Sequence, residues 1–183
     1  MSFDRQPVLT GNLVRLRPLT ADDLSGLQLV ASDPLIWTQH PDRQRHTRRA
    51  FRRFFDDALG SGGALIAENP SDGAIMGTSR FHGYDPEASE IEIGWTFLAR
   101  KYWGGAVNGE IKQLMLCHAF RRVGSVIFLV ASENARSRRA VEKIGAVPDG
   151  RRLDGSGRDC VLYRVTAAAW KAAHQDTCSR IRA

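Results

Sequence analysis

The stretch that most constrains this chain is residues 103–110, WGGAVNGE, set between a strand-like run and a long apolar helix pattern. Upstream, residues 91–98 alternate with the two-residue period of a strand. Downstream, Val107, Ile111, Leu114, Met115 and His118 recur at helical spacing. A chain that passes from strand to helix through adjacent glycines turns successive backbone N–H groups into one concavity, and the helix adds the positive end of its dipole. Strand, glycine loop and helix in this order predict a cradle for a pyrophosphate. The same glycines also suit a plain tight turn, and the loop by itself leaves both readings open.

Spacing excludes two nucleotide sites. There is no G-x-x-x-x-G-K-[ST] sequence, and Gly109 is followed by Glu110, whose carboxylate would repel a β/γ-phosphate. A dinucleotide G-x-G-x-x-G fingerprint is also missing. A second informative run, residues 133–146 (ENARSRRAVEKIGA), follows the apolar residues 126–131. Here Asn134 predicts a helix N-cap, Ala140, Val141 and Ile144 a buried stripe, and Gly145 a C-terminal cap.

Together the two runs resemble the signatures of the GNAT N-acetyltransferases: a Gln/Arg-x-x-Gly-x-Gly/Ala loop after the fourth strand, then Asn-x-x-Ser and a short helix ending Glu-Lys-x-Gly. The loop match is partial, with Trp103 in place of Gln or Arg, Ala106 in place of the central Gly and Asn108 in place of Gly or Ala. The resemblance covers residues 8–172 and points to the branch containing the ribosomal-protein alanine N-acetyltransferases. It implies an α/β fold: a mixed, mostly antiparallel twisted sheet, splayed between its fourth and fifth strands, with helices on both faces. Residues 1–183 would form a single domain, with a core at 8–172 and a tail at 173–183.

The resemblance also implies acetyl-CoA as acyl-donor cosubstrate, no metal, and direct transfer to a primary amine in a ternary complex. The expected cofactor contacts are Trp95, Phe97, Trp103, Gly104, Gly105, Ala106, Val107, Asn108, Asn134 and Ser137. Arg136, Arg139 and Lys143 would meet the 3′-phosphate, for which an arginine fork is suited.

The remaining elements follow from pattern. Residues 13–19 read as a first strand, and Thr20 caps a helix carrying Leu24, Leu27 and Leu29. Residues 44–59 read as a second helix. Residues 64–68 and 74–81 form a hairpin about the turn at 69–73, and residues 160–165 form a late strand before a helix capped by Thr166 and containing Trp170.

Amine acetylation needs a base, because an ammonium group with a pKa of about 10.4 has no lone pair for attack. Glu90 and Glu92 lie two apart and share one face of the fourth strand. Glu92 is the favoured base, being nearer the Gly94–Trp95 backbone expected to lie against the thioester, and Glu90 is placed on the substrate side. For the leaving thiolate, many relatives use a tyrosine where this chain has Val141. The ribosomal-protein branch uses a serine that Ser137 matches, with Tyr84, Tyr102 and Tyr163 as substitutes. Trp37, His82 and Tyr84 are expected to line the acceptor pocket. His40, His46 and His82 are isolated, which argues against a metal site.

Composition narrows the class further. With 183 residues, 43% of them hydrophobic, the chain can bury a core without staples. Its three cysteines lack metal-ligand spacing, and Cys117 and Cys160 read as small buried hydrophobes, a usage suited to the cytoplasm. No apolar run is long enough to span a membrane. The net charge of +6 concentrates on the second helix at Arg43, Arg45, Arg48, Arg49, Arg52 and Arg53. A solvated face accounts for it, as does a negatively charged acceptor or a ribosomal setting. The expected partner is an amine acceptor, either a protein N-terminus or an anionic small molecule; nucleic acid is not favoured and homodimerisation is left open. Two rival readings stand beside the enzyme: a non-catalytic acyl-CoA-binding module, and a ribosome- or nucleic-acid-associated module.

Overall fold

The computed structural model describes residues 3–174. Eight strands build one sheet in the order β1-β2-β3-β4-β5-β6-β8-β7. They are β1 (Leu9–Thr10), β2 (Arg15–Pro18), β3 (Ala64–Glu68), β4 (Ile75–Asp85), β5 (Glu90–Leu98), β6 (Ser125–Ala131), β7 (Val147–Leu153) and β8 (Asp159–Thr166). Every neighbouring pair is antiparallel except β5 and β6, which run parallel. The expected α/β fold, a mixed and mostly antiparallel sheet, is the one observed.

The splay has a local cause. β5 and β6 pair only at Glu90↔Ser125, Ile91↔Val126 and Glu92↔Ile127, and past Glu92 they diverge into a fork. On the other side of β5, Arg80 faces Gly94 and Thr78 faces Phe97, so β5 carries one residue more than β4 over this span. The extra residue forms a bulge at Trp95, whose φ of 51° lies in the left-handed region. Bulges bend and twist their strand, and a bulky side chain at positive φ is strained, so tertiary packing must hold it there.

The bulge also reverses the inward and outward alternation of β5. Ile91 and Ile93 pack in a core with Ile111, Leu114 and Met115, whereas Phe97, of the same parity, packs in a second core with Leu27, Trp37, Phe51 and Phe55. The sheet is thus covered on one face by α3 (Ala106–Ala119) and on the other by α1 (Leu24–Ala31) and α2 (Arg48–Gly60). The splay falls between the fifth and sixth strands by chain order, because the expected first strand has a two-residue partner, β1, before it.

Several expectations need correction. Leu29 of α1 is 77% exposed and not part of the core. The second helix begins at Arg48, after a 3-10 turn (Arg43–His46), where Thr47 accepts a hydrogen bond from the Ala50 amide. β7 is a strand the sequence pattern does not reveal: every residue in it is exposed, so it has no apolar alternation, and its register comes from pairing with β8. Cys160 is a free buried thiol as expected, but Cys117, also buried, is disulfide-bonded. Most of the expected tail, Cys178 included, lies outside the described residues. α4 (Ala135–Glu142) and α5 (Ala167–Ala173) stand where the capping residues Asn134 and Thr166 predict them. Among the described residues no helix is long and apolar enough to cross a membrane, and no cluster of three or more His, Cys, Asp or Glu could hold a metal.

Candidate active site

A cavity of about 770 Å³ occupies the fork between β5 and β6. One end is the glycine loop. Gly104 has φ 70°, and a Cβ added at Gly104 or Gly105 would meet nothing nearer than the Tyr102 carbonyl oxygen at 4.0 Å, so the space above the loop is open. Gly105 caps α3 with no side-chain hydrogen bond, and the first turn holds no acidic residue. Among the described residues the amides there have no side-chain cap, and a helix N-terminus of this kind favours negative charge. Glu110, one turn in, accepts hydrogen bonds from the amides of Asn12, Leu13 and Val14, which engages its carboxylate at the β1–β2 loop. These features fit a pyrophosphate held by backbone.

The wall opposite α3 comes from α4. Asn134 is 7% exposed, and its Oδ1 accepts from the Ser137 amide at 3.1 Å. It is therefore the helix cap, and it also lines the cavity together with Ser137, Arg136, Arg139 and Lys143. Arg136 is partly committed: its Nη2 donates to the Ile36 carbonyl at 2.8 Å and its guanidinium lies 4.0 Å from the centre of the Trp103 ring. Arg139 and Lys143 form no ion pair among the described residues. They remain available to a phosphate.

At the other end lies Glu92, 9% exposed, beside His82 in the register of β4 and β5. Burial raises its carboxyl to about 7, against the smaller opposing pull of Arg152 and Arg80. Gly94 approaches it so closely that a Cβ there would stand 3.3 Å from Glu92 Oε1. Trp95 lies between the Arg80 guanidinium, 4.6 Å from its ring centre, and the His82 ring at 5.0 Å. Burial also lowers the His82 imidazole, with Arg80 adding to the effect. Trp37 serves as core anchor and pocket wall together: it is 2% exposed, its Nε1 donates to the Ala31 carbonyl, and its ring lines the cavity.

Of the sequence-expected residues, the cavity brings together Glu92, Trp95, Phe97, Trp103, Gly104, Gly105, Asn108, Asn134, Arg136, Ser137, Arg139, Lys143, Trp37 and His82. Ala106 and Val107 form the start of α3 behind the loop. Two expectations fall outside. Glu90 is engaged by Ser125 and in an ion pair with Arg164, where β6 and β8 close on the end of β5. Tyr84 stacks on Phe3 at 5.5 Å against the core. Of the substitute tyrosines, Tyr163 is fully buried and donates to Glu142, leaving Tyr102 on the cavity wall. Arg45, counted with the charged face of α2, instead lies over the rings of Trp37 and Phe54.

Lys112 is a site residue that sequence reasoning does not single out. It is 4% exposed, lines the cavity from α3 and donates to Thr96 Oγ1 at 2.6 Å. The available signal is a lysine one turn after Asn108, next to Ile111 on the apolar stripe.

The sequence profile of the acetyltransferase (GNAT) domain matches residues 14–147. No curated protein matches the sequence. Among solved structures, a GCN5-related N-acetyltransferase from Brucella melitensis superposes with a TM-score of 0.81 at 22% identity, covering 93% of this chain and 83% of its own. A provisionally assigned acetyltransferase from T. thermophilus gives 0.75 at 31% identity, with 95% and 97% covered. Mycobacterium smegmatis RimJ, solved in complex with CoA-disulfide, gives 0.67 at 19% identity, with 96% and 93% covered. With the profile spanning most of the sheet and both walls of the fork, the chain belongs to the GNAT acetyltransferases, a family that uses acetyl-CoA.

Proposed function

We propose that this acetyltransferase moves the acetyl group of acetyl-CoA to a primary amine in a ternary complex, with Glu92 as the base. The observation that carries the reading is a buried carboxylate at the acceptor end of the cavity, raised to about 7 by burial, with no cation bonded to it among the described residues. A base near neutrality is ionised often enough to accept the ammonium proton and basic enough to hold it. The cofactor would lay its pyrophosphate on the first amides of α3 and its 3′-phosphate toward Arg139 and Lys143, and its arm would run through the fork past Asn134. The amine would then attack the thioester carbon beside the Trp95 bulge, where Trp95 and Thr96 lack register partners on β4 and a backbone amide would receive the oxyanion. Ser137, from the cavity wall, offers a hydroxyl to the departing sulfur.

Behind the Trp95 ring at the acceptor end stands a buried, partly satisfied arginine. Arg80 is 3% exposed, pairs through one nitrogen with Asp57, and among the described residues leaves its Nε and Nη2 without a hydrogen bond. Arg45 and Arg158 lie nearby, each in an ion pair with a carboxylate, Asp42 and Asp154. The unsatisfied Arg80 guanidinium favours an amine that also bears an anionic group, such as a small amino acid or an acidic protein N-terminus, over a polyamine. The test is a thermal-shift titration with acetyl-CoA, followed by an acceptor screen comparing acidic and polycationic amines. Stabilisation of about 2.7 kcal/mol is expected at 100 times the Kd. No shift with acetyl-CoA refutes the reading, and preference for polyamines refutes the acceptor class.

A further inference from the structure

Lys112 projects from the sheet-facing side of α3 into the fork. Its Nζ lies 2.6 Å from Thr96 Oγ1 on β5 and 5.4 Å from the centre of the Phe128 ring on β6. The amine therefore sits between the two strands where they part, one helical turn deeper than Asn108 and next to the bulge residue Trp95. Among the described residues it forms no ion pair, and its lowered pKa, about 7, has burial as its sole cause. The other charged groups lining the cavity, Glu92, Asp154, Arg136, Arg139, Lys143 and Arg158, make no hydrogen bond to it. Thr96 supports the amine in turn, through a 2.8 Å contact to Ser79 Oγ. A lysine buried without a counter-charge destabilises the fold unless something negative enters its site.

The reaction proposed above creates such a charge at this depth, and the inference rests on that reading. When the tetrahedral adduct collapses, the C–S bond breaks and its electron pair goes to sulfur. Ser137 can hydrogen-bond that sulfur, but a serine hydroxyl is a far weaker acid than a thiol and does not surrender its proton to a thiolate. We propose that Lys112 is a further catalytic residue, whose ammonium pairs with the departing sulfur of CoA and gives it the proton. The C–N bond forms on attack, after Glu92 has passed the ammonium proton to solvent; on collapse the C–S bond breaks, Glu92 takes the second proton from the adduct nitrogen, the Lys112 proton goes to sulfur, and solvent returns Glu92 and Lys112 to their starting states.

The experiment needs no acceptor. CoA and desulfo-CoA are bound to the wild-type protein and to the K112M and K112Q variants, and the thiolate absorbance of bound CoA is followed against pH. In the wild type the thiol should titrate at least about one unit below its ordinary value near 8.5. In both variants it should return to that value or above it. Desulfo-CoA should bind all three proteins alike, and K112M should melt no lower than the wild type, since it removes a buried charge while keeping the volume. With an accepted amine, kcat should fall in the variants while KM for acetyl-CoA stays nearly constant. An unshifted thiol in the wild-type complex, or the same shift in the variants, overturns the role of Lys112 alone. Failure of CoA and desulfo-CoA to bind the wild type overturns the acyl-CoA reading with it.

Discussion

Replacing Glu92 by Gln separates the stability cost of the proposed base from its catalytic use. The Glu92 carboxyl is raised from 4.5 to about 7, chiefly by burial. Below pH 4.5 the group is protonated in both folded and unfolded chains and costs nothing. Between 4.5 and 7 the unfolded chain has released the proton while the folded one holds it, so stability falls as pH rises, and the loss levels off above 7. A shift of this size corresponds to about 3 kcal/mol at the plateau, which for a chain of this length is roughly 6 to 12 °C in Tm. E92Q does not titrate and keeps the shape of the side chain. The melting-temperature difference, E92Q minus wild type, should therefore start near zero at pH 4.5, grow through neutrality and flatten by pH 8. All other groups are shared, so the difference isolates Glu92. Over the same range, wild-type activity on an accepted amine should rise as Glu92 ionises, while E92Q should be about 10² to 10⁴ times slower. A gap in Tm that is constant from pH 4.5 to 8.5 refutes the raised carboxyl, and full activity of E92Q at neutral pH refutes its role as base.

Removing the Glu110 carboxylate in E110A strands the amides of Asn12, Leu13 and Val14. Thermal melts should show a loss of about 2 kcal/mol, with acetyl-CoA affinity little changed, because the carboxylate is tied to the β1–β2 loop. The double variant R139A/K143A should weaken acetyl-CoA but leave dephospho-CoA unchanged, as read by calorimetry; equal weakening of both ligands would place the 3′-phosphate elsewhere. N134A removes the hydrogen bond from the Ser137 amide and should cost about 1 kcal/mol of stability. If Asn134 also touches the cofactor, N134A should weaken acetyl-CoA binding beyond what N134D does. Finally, G77A would place a Cβ 2.0 Å from the Phe97 carbonyl oxygen. The β4–β5 approach beside the bulge must then open, and the variant should lose more than about 4 kcal/mol in chemical denaturation.

The residues that are legible in the sequence are those whose role is fixed by neighbours a few positions away. Asn134 caps α4 because a short side-chain acceptor before a helix meets the amide three residues on, and Gly104 and Gly105 open the loop because they lack a Cβ. The α3 stripe and the β3–β4 hairpin follow from period and turn chemistry. What sequence could not give depends on partners distant along the chain. Glu90 and Glu92 are two carboxylates on one strand face, yet Arg164 of β8 reaches only Glu90 and takes it out of the cavity. The parity of β5 is read correctly only as far as Gly94, because the bulge at Trp95 exists to match β4 and sends Phe97 to the other core. β7 has no pattern of its own, being exposed throughout and ordered by β8. Lys112 looks like a surface lysine on a helix until Thr96 and Phe128 enclose it from two strands. The sequence by itself determined the order of strand, glycine loop and helix, the caps at Asn134 and Thr166, and the family; the sheet decided which charged groups face the fork, because burial and pairing across strands are properties of the assembled fold.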